Sequence, residues 1–315
     1  MTDLVGAIDV GASKTLVTVR PVAFSGWESR LPTVRFATPS TPDALVGALG
    51  ASLAELATKA GGRIVAVGCG TPGPLDPDRG VIIHSPNQGW RDVPLVALLE
   101  ERLGVPVHLE DDANAGALGE ATLGAGCGAD PVAFVTVSSG IGSGIVVGGR
   151  VLRGAHASAG EIGHLVVDPA GIRCGCGNRG CIETLAAGRG IERRARAAWS
   201  RGGSLRMPPP MTAREVFRAA RAGDPIASRI VDDGVHALAW AFAVLVATID
   251  PERIVVGGAV GVGQRGYVRR AARRARRRCL RESAAGLQVV PAALGHECVL
   301  AGAAVMAARA HGDVG

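Results

Sequence analysis

Three cysteines fall within eight residues, Cys174-Gly-Cys176-Gly-Asn-Arg-Gly-Cys181, and His164 stands ten residues before the first of them. Three thiolates and one imidazole form a closed tetrahedral set for zinc, the donor composition of a structural site with no position left for a reacting water. Two cysteines one residue apart reach the same ion only if the chain turns tightly, which Gly175 and Gly177 allow. Cys69, Cys127, Cys279 and Cys298 are scattered and read as small buried residues. The chain opens on an acidic residue and a strand-like run, so no export signal is expected, and seven cysteines suit a metal site better than a disulfide framework.

Carboxylates gather around the same loop. Glu161 lies three residues before His164, and Glu183 two after Cys181, so a metal here would anchor both. A second acidic group, Glu110-Asp111-Asp112, falls where a strand gives way to a helix. An acid there can cap the helix. It can also be a general base, because open α/β sheets bind ligands beyond the carboxyl ends of their strands. The residues alone favour the cap. Asp9 ends another buried run and precedes a Gly11-to-Lys14 turn, the place of a Mg²⁺-associated carboxylate and phosphate turn in actin-like ATPases. The turn is not a P-loop, which needs two glycines around a Lys-Ser/Thr pair.

The elements that must position these groups alternate in type. Leu4 to Asp9 and Leu16 to Val19 read as strands around the turn. Thr41-Pro42-Asp43 supplies a cap, a first-turn proline and an acidic first turn; Leu45, Leu49, Leu53 and Leu56 then keep helical spacing until Gly61-Gly62. Ile64 to Val67 is a strand, 93–103 a helix, 105–109 a strand and 113–123 a helix, an α/β pattern. Residues 133–147 repeat the strand, Gly/Ser turn, strand layout of residues 4–19, which fits either one duplicated nucleotide-binding hairpin or two unrelated glycine turns. Pro208 to Pro210 marks a loop between helices of the second half.

A chain of 315 residues, 47% apolar and 20% charged, suits two globular domains. Its net charge of +6 owes much to a run of arginines from Arg269 to Arg281. No base-stacking aromatics or DNA-binding module accompany the run, and Ala271, Ala272, Ala275, Cys279 and Leu280 give it one apolar face, so it reads as a surface helix with a solvated arginine side. The longest apolar stretch, Ala237 to Ile249, is shorter than the roughly 20 residues a bilayer requires.

Taken in order, these motifs resemble the ROK family of sugar kinases along nearly the whole chain. Asp9-Val-Gly-Ala-Ser-Lys14 is similar to the family's first phosphate motif, D-x-G-G-T-K. Gly70-Thr-Pro-Gly-Pro-Leu-Asp76 and Ser85-Pro-Asn-Gln-Gly-Trp90 resemble its sugar-side loops, and Glu110-Asp-Asp-Ala-Asn114 its E-N-D-A-N. Ser138-Ser-Gly-Ile-Gly142 is similar to the second phosphate motif, T-G-I-G, and Pro251-Glu-Arg-Ile-Val-Val-Gly-Gly258 to the adenosine loop. Gly160-Glu-Ile-Gly-His164, followed by the Cys174-to-Glu183 stretch, carries the zinc and sugar-binding signature, in its glucokinase-like form.

The resemblance implies an actin-like (ribonuclease H-like) α/β ATPase fold of two lobes with a central cleft. The small lobe would span about 1–115 plus the helix after about 300, and the large lobe 116–299 with the zinc loop. It implies ATP-dependent phosphorylation of a hexose, glucose first, with Asp112 as general base, a role that outweighs the cap reading. Glu161, His164 and Glu183 would contact the sugar's O1 to O3 hydroxyls, joined by Asn87, Asp111 and Asn114. Gly11, Ala12, Ser13 and Lys14, with Ser139, Gly140 and Gly142, would hold the ATP phosphates; Asp9 would approach Mg²⁺ and Gly257 and Gly258 would face the adenosine. His164, Cys174, Cys176 and Cys181 would hold structural zinc. A cytoplasmic homodimer without nucleic-acid or membrane partners is expected.

Three positions depart from the family pattern. Asp111 replaces Asn, which removes a hydrogen-bond donor and sets a like charge beside Asp112. Ala12 replaces a glycine whose place is close to the phosphates, and Ser139 replaces Thr while keeping the hydroxyl. The alternatives are a kinase for N-acetylglucosamine, N-acetylmannosamine, mannose or fructose, or a sugar-binding member without turnover. The family's repressors carry a helix-turn-helix domain before the first phosphate motif, and Asp9 comes too early for one to be expected.

Overall fold

Leu4 to Ile8 is an unbroken buried run without a polar side chain, as a strand covered on both faces requires, and it lies in β1 (Thr2–Val10). The structure, a computed structural model, describes residues 1–27, 32–85, 88–201 and 211–312; Asn87 and the Pro208 to Pro210 segment lie outside them. After β1 come β2 (Lys14–Pro21), β3 (Thr33–Ala37), α1 (Pro42–Ala60) and β4 (Gly62–Thr71). A small antiparallel sheet of β5 (Leu75–Asp76), β6 (Val81–Ser85) and β7 (Trp90–Val93) follows, then α2 (Leu95–Leu103), β8 (Val107–Asp111) and α3 (Asp112–Leu123). The rest of the chain forms β9 (Val132–Val137), β10 (Ile141–Val147), β11 (Arg150–Val151), α4 (Ile182–Ala186), α5 (Gly188–Ser200), α6 (Ala213–Arg221) and α7 (Pro225–Ile249). It closes with β12 (Arg253–Gly257), α8 (Ala259–Gly263), α9 (Arg265–Arg276), α10 (Arg281–Gly286), β13 (Gln288–Pro291) and α11 (Cys298–His311).

Two compact units result. The first takes residues 1–128, 144–159 and 293–315, and the second takes 129–143 and 160–292. This division differs from boundaries near 115 and 300, because α3 packs along α11 and so stays with the first unit.

In the first unit the strand order is β3-β2-β1-β4-β8, with β1–β2 an antiparallel hairpin and β4 and β8 parallel to β1. Thr41 caps α1 by accepting from the Ala44 N–H, and Gly61, left-handed at φ 65°, ends it. Leu45, Leu49, Leu53 and Leu56 bury one helical stripe in a core with Ile8, Val17 and Val67. On the other side Leu300, Ala303, Ala304 and Ala307 of α11 cover Val5, Ala7 and Leu16. This second layer is seated without a gap: a Cβ at Gly302 would lie 1.7 Å from the Ala115 carbonyl oxygen, and one at Gly68 would lie 2.0 Å from that of Ala303. Gly302→Ala is therefore expected to destabilise the protein by about 1–3 kcal/mol. Urea unfolding would read this, and an unchanged midpoint would contradict the seating.

Glu120 on α3 is fully buried and accepts from the backbone N–H groups of Ala125, Ala293 and Leu294 at 2.8, 3.1 and 2.8 Å, which ties the approach to α11 onto α3.

The second sheet has the order β11-β10-β9-β12-β13, with β12 parallel to β9 and β13. It repeats the first sheet's plan of three strands followed by two parallel ones, so the repeated hairpin pattern in the sequence marks a duplicated architecture. The apolar stretch ending at Ile249 belongs to a longer helix than its composition suggested. Asp224 caps α7 through the Ala227 N–H, and the 25-residue helix is long and apolar enough to cross a membrane by length and composition. Two thirds of its most apolar window is buried within the chain, where α4, α5, α6 and α9 pack on it. The arginine run lies on a helix that begins before it and stops short of Arg281: α9 runs from Arg265 to Arg276 with Tyr267, Val268, Ala271, Ala272 and Ala275 buried. Arg270 pairs with Asp232, Arg276 donates to the Leu287 carbonyl at 2.8 Å, and the Arg278 guanidinium lies 5.0 Å from the Trp240 ring centre.

Candidate functional site

In the first unit, the strand ends gather the acids. Asp9 and Gly70 are register partners on β1 and β4, and Thr71 and Asp111 on β4 and β8, so Asp9, the Gly70 loop and the acidic group all reach the carboxyl edge of one sheet. Asp111 is the N-cap of α3: its Oδ1 accepts from the N–H groups of Ala113 at 2.9 Å and Asn114 at 3.4 Å. Asp and Asn cap equally well, so the departure from Asn at this position preserves the helix start. Asp112 is the first helical residue and is partly exposed. Asn114 does not present itself to solvent as a sugar contact would. It is 2% exposed, its amide donates to Glu110 at 3.1 Å, and its Oδ1 has no partner among the described residues.

The first turn is braced from outside. Thr38 donates to the Gly11 carbonyl at 2.7 Å, and Gln88 Nε2 donates to the Ala12 carbonyl at 3.1 Å. Ala12 and Ser13 are exposed, and Ala12 does not adopt the positive φ that would demand glycine. Lys14 opens β2.

Burial pushes the Asp9 carboxyl up to about 6, with Lys14 pulling the other way. Its folded value thus exceeds the ordinary 3.8, and the folded state binds a proton that the unfolded chain does not between those values. Without Mg²⁺, stability from this group should rise as pH falls from 7 toward 4, by up to roughly 3 kcal/mol. Asp9→Asn should remove that slope and stabilise the metal-free protein at neutral pH. Thermal melts from pH 5 to 7.5 would check it, and identical slopes in both proteins would refute it.

In the second unit the Cys/His set assembles as its spacing suggested. His164, Cys174, Cys176 and Cys181 bring one ligand atom each to within 4.8 Å of the others. Cys174 Sγ lies 3.6 Å from His164 Nδ1, and Cys176 Sγ 3.6 Å from Cys181 Sγ. Ligand atoms around a tetrahedral zinc stand about 3.7 Å apart, so the donor set and its spacing fit this ion. The tight turn comes from Gly177 and Gly180, at φ 98° and 66°, and not from Gly175. His164 Nε2 points away from the thiols and lies 3.8 Å from Glu161 Oε2. One nitrogen can therefore serve a metal while the other faces Glu161, which is 56% exposed in its side chain.

Glu183 joins this loop to the turn at 138–142. Its Oε1 lies 4.0 Å from Cys174 Sγ, and its Oε2 accepts from the Ile141 N–H at 2.9 Å. A Cβ at Gly140 would meet that same oxygen at 2.5 Å, so a side chain there would push the Glu183 carboxylate aside. Gly188 and Arg189 donate backbone N–H groups to the Ser138 and Ser139 carbonyls at 2.8 and 3.2 Å, holding the turn from the other side while Gly142 continues it into β10. Gly257 ends β12 and Gly258 follows it, and Gly258, at φ 80°, would carry a Cβ 2.4 Å from the Val137 carbonyl oxygen.

Sequence reasoning missed Thr38, Gln88 and the Glu110–Arg153 pair described below. Each is joined to its partner across a long stretch of chain, where no spacing rule operates.

Two sheets of one plan, each with a hairpin turn at its edge, define an actin-like ATPase fold. The chain belongs to the ROK family, whose sequence profile matches residues 5–310. The ROK hexokinase of Thermus thermophilus is 39% identical and superposes with a TM-score of 0.85 over 99% of this chain and 100% of that one. The ROK family glucokinase of Streptomyces griseus, solved with glucose and AMPPNP, is 33% identical with a TM-score of 0.73, covering 97% and 99% of the two chains. A glucokinase of Halalkalibacterium halodurans is 41% identical over 204 residues, and that match spans 62% of this chain and 62% of the relative.

Proposed function

We propose that this protein is an ATP-dependent hexose kinase that converts glucose to glucose 6-phosphate. The observation that carries the reading is the likeness to the S. griseus glucokinase over almost the full length of both chains. The acidic strand end of the first unit and the braced turn of the second supply the parts that such a reaction needs.

In this reading Asp112 accepts the proton of the sugar O6 hydroxyl as O6 attacks the γ-phosphorus and the bond to the leaving ADP oxygen breaks. Glu161, His164 Nε2 and Glu183 hold the O1 to O3 hydroxyls, and Asn87 is a further sugar contact. Asp111 keeps the first turn of α3 in place, and Asn114 supports it from beneath. The turns at 11–14 and 138–142 offer N–H groups to the ATP phosphates, with Gly257 and Gly258 toward the adenosine. Asp9 would hold Mg²⁺, which screens phosphate charge. The Cys₃His set would hold zinc, which orients His164 and Glu183. We further take the protein to be a cytoplasmic homodimer whose ligands are small molecules, which light scattering can test.

An ADP-release assay with Mg-ATP and a panel of hexoses and amino sugars tests the function. Glucose should give the highest kcat/KM. Turnover confined to an amino sugar would overturn the substrate, and no turnover on any sugar by folded, metal-loaded protein would overturn the reaction.

A further inference from the structure

We infer that Arg153 is a positioning residue for the start of α3, acting through the buried carboxylate of Glu110. This rests on the kinase reading of Asp112 and adds a residue that no motif pointed to. Glu110 is 2% exposed and lies just before the cap Asp111. Its Oε1 accepts from the Asp111 N–H at 3.0 Å and from Asn114 Nδ2 at 3.1 Å. Its Oε2 accepts from Arg153 Nε at 2.7 Å. Glu110 thus grips the chain on both sides of Asp112, and Arg153 is its one cationic partner among the described residues.

The chemistry makes Arg153 necessary to that grip. A carboxylate this deep is costly without a cation, and on losing one it draws in water or turns to find other donors. Either movement carries Oε1 away from the Asp111 and Asn114 N–H groups that it now holds. Asn114 has no second anchor, since its Oδ1 is unpartnered among the described residues. The strand-to-helix junction then loosens, and displacement of a reacting group by about 1 Å can cost 10²-fold in rate. Arg153 reaches this point from the segment after β11, with its side chain 40% exposed and its Nη1 3.5 Å from Asp78. The rival role for that exposed guanidinium is direct contact with substrate phosphates.

A glutamine at 110 separates the two roles, because it keeps an acceptor for both N–H groups and needs no cation. The full-length chain would be compared as wild type, Arg153→Met, Glu110→Gln and the double variant. Arg153→Met should lower kcat about 10–100-fold, with KM for sugar and ATP within about threefold. The double variant should recover to within about threefold of Glu110→Gln alone. Backbone amide exchange at residues 111–116, measured without substrates, should quicken in Arg153→Met and return to the Glu110→Gln level in the double variant. A double variant as slow as Arg153→Met, or exchange that Arg153→Met leaves unchanged, would overturn the inference. If Arg153→Met fails to fold, the double variant decides alone: matching Glu110→Gln in kcat and exchange supports it, and falling short refutes it. An inactive wild type would sink the kinase reading, while the exchange measurement would still decide whether Arg153 holds the junction.

Discussion

Asp112→Asn is expected to lower kcat by about 10²–10⁴-fold while leaving the KM values for sugar and ATP within a few-fold, the range that a positioned general base contributes. The cap of α3 is Asp111, which accepts from the Ala113 and Asn114 N–H groups, so these two bonds survive the change at 112. Asparagine is nearly isosteric and cannot accept the hydroxyl proton. Asp111→Ala should behave differently, costing about 1 kcal/mol of stability through the lost cap and disturbing Asp112 only by displacement. Single-turnover kinetics beside thermal melts would separate the two. An Asp112→Asn protein with a near-normal chemical step would remove Asp112 from its role.

Stripping metal from the Cys₃His set, or replacing Cys176 by Ser, is expected to lower the melting temperature by roughly 10 °C or more, since even about 4 kcal/mol of ligation energy has that effect on a unit of this size. The less obvious expectation is that nucleotide affinity falls together with sugar affinity. Glu183 stands 4.0 Å from Cys174 Sγ on one side and holds the Ile141 N–H on the other, and the chain leaving the loop supplies the Gly188 and Arg189 donors to Ser138 and Ser139. A loop without zinc should release the turn at 138–142 as well as Glu183. Calorimetry with AMPPNP on chelated and zinc-restored protein would show it. Unchanged nucleotide binding in chelated protein, with sugar binding lost, would confine the metal's influence to the sugar side.

What was legible in the sequence was local. The Cys174 to Cys181 spacing, the Thr41 cap with its leucine stripe, and the two strand-turn-strand hairpins each depend on residues a few positions apart, and each formed as its pattern required. The contacts joining these pieces were not legible: Gln88 to Ala12, Glu183 to Ile141 and Arg153 to Glu110 span 76, 42 and 43 residues. The strand read as Ile64 to Val67 is longer in the structure, where β4 runs on through Gly68 and Gly70 to Thr71. They are glycines because Ala303 and Val299 of α11 press against them, a cause some 230 residues away along the chain. Asp112 was ambiguous for another reason: two acids stand side by side at the helix start, and it is Asp111 that caps.

The seating of α11 also sets the order in which the protein can be finished as it is made. One face of the first sheet, Val5, Ala7 and Leu16 among it, is covered by Leu300, Ala303, Ala304 and Ala307. At roughly 5–20 residues per second on the ribosome, that face waits tens of seconds for its cover. The second unit, which ends at Ala292, has all its residues in hand before α11 emerges. The unit begun first is thus the last completed, and for most of its synthesis the nascent chain carries an uncovered apolar sheet that chaperones would recognise.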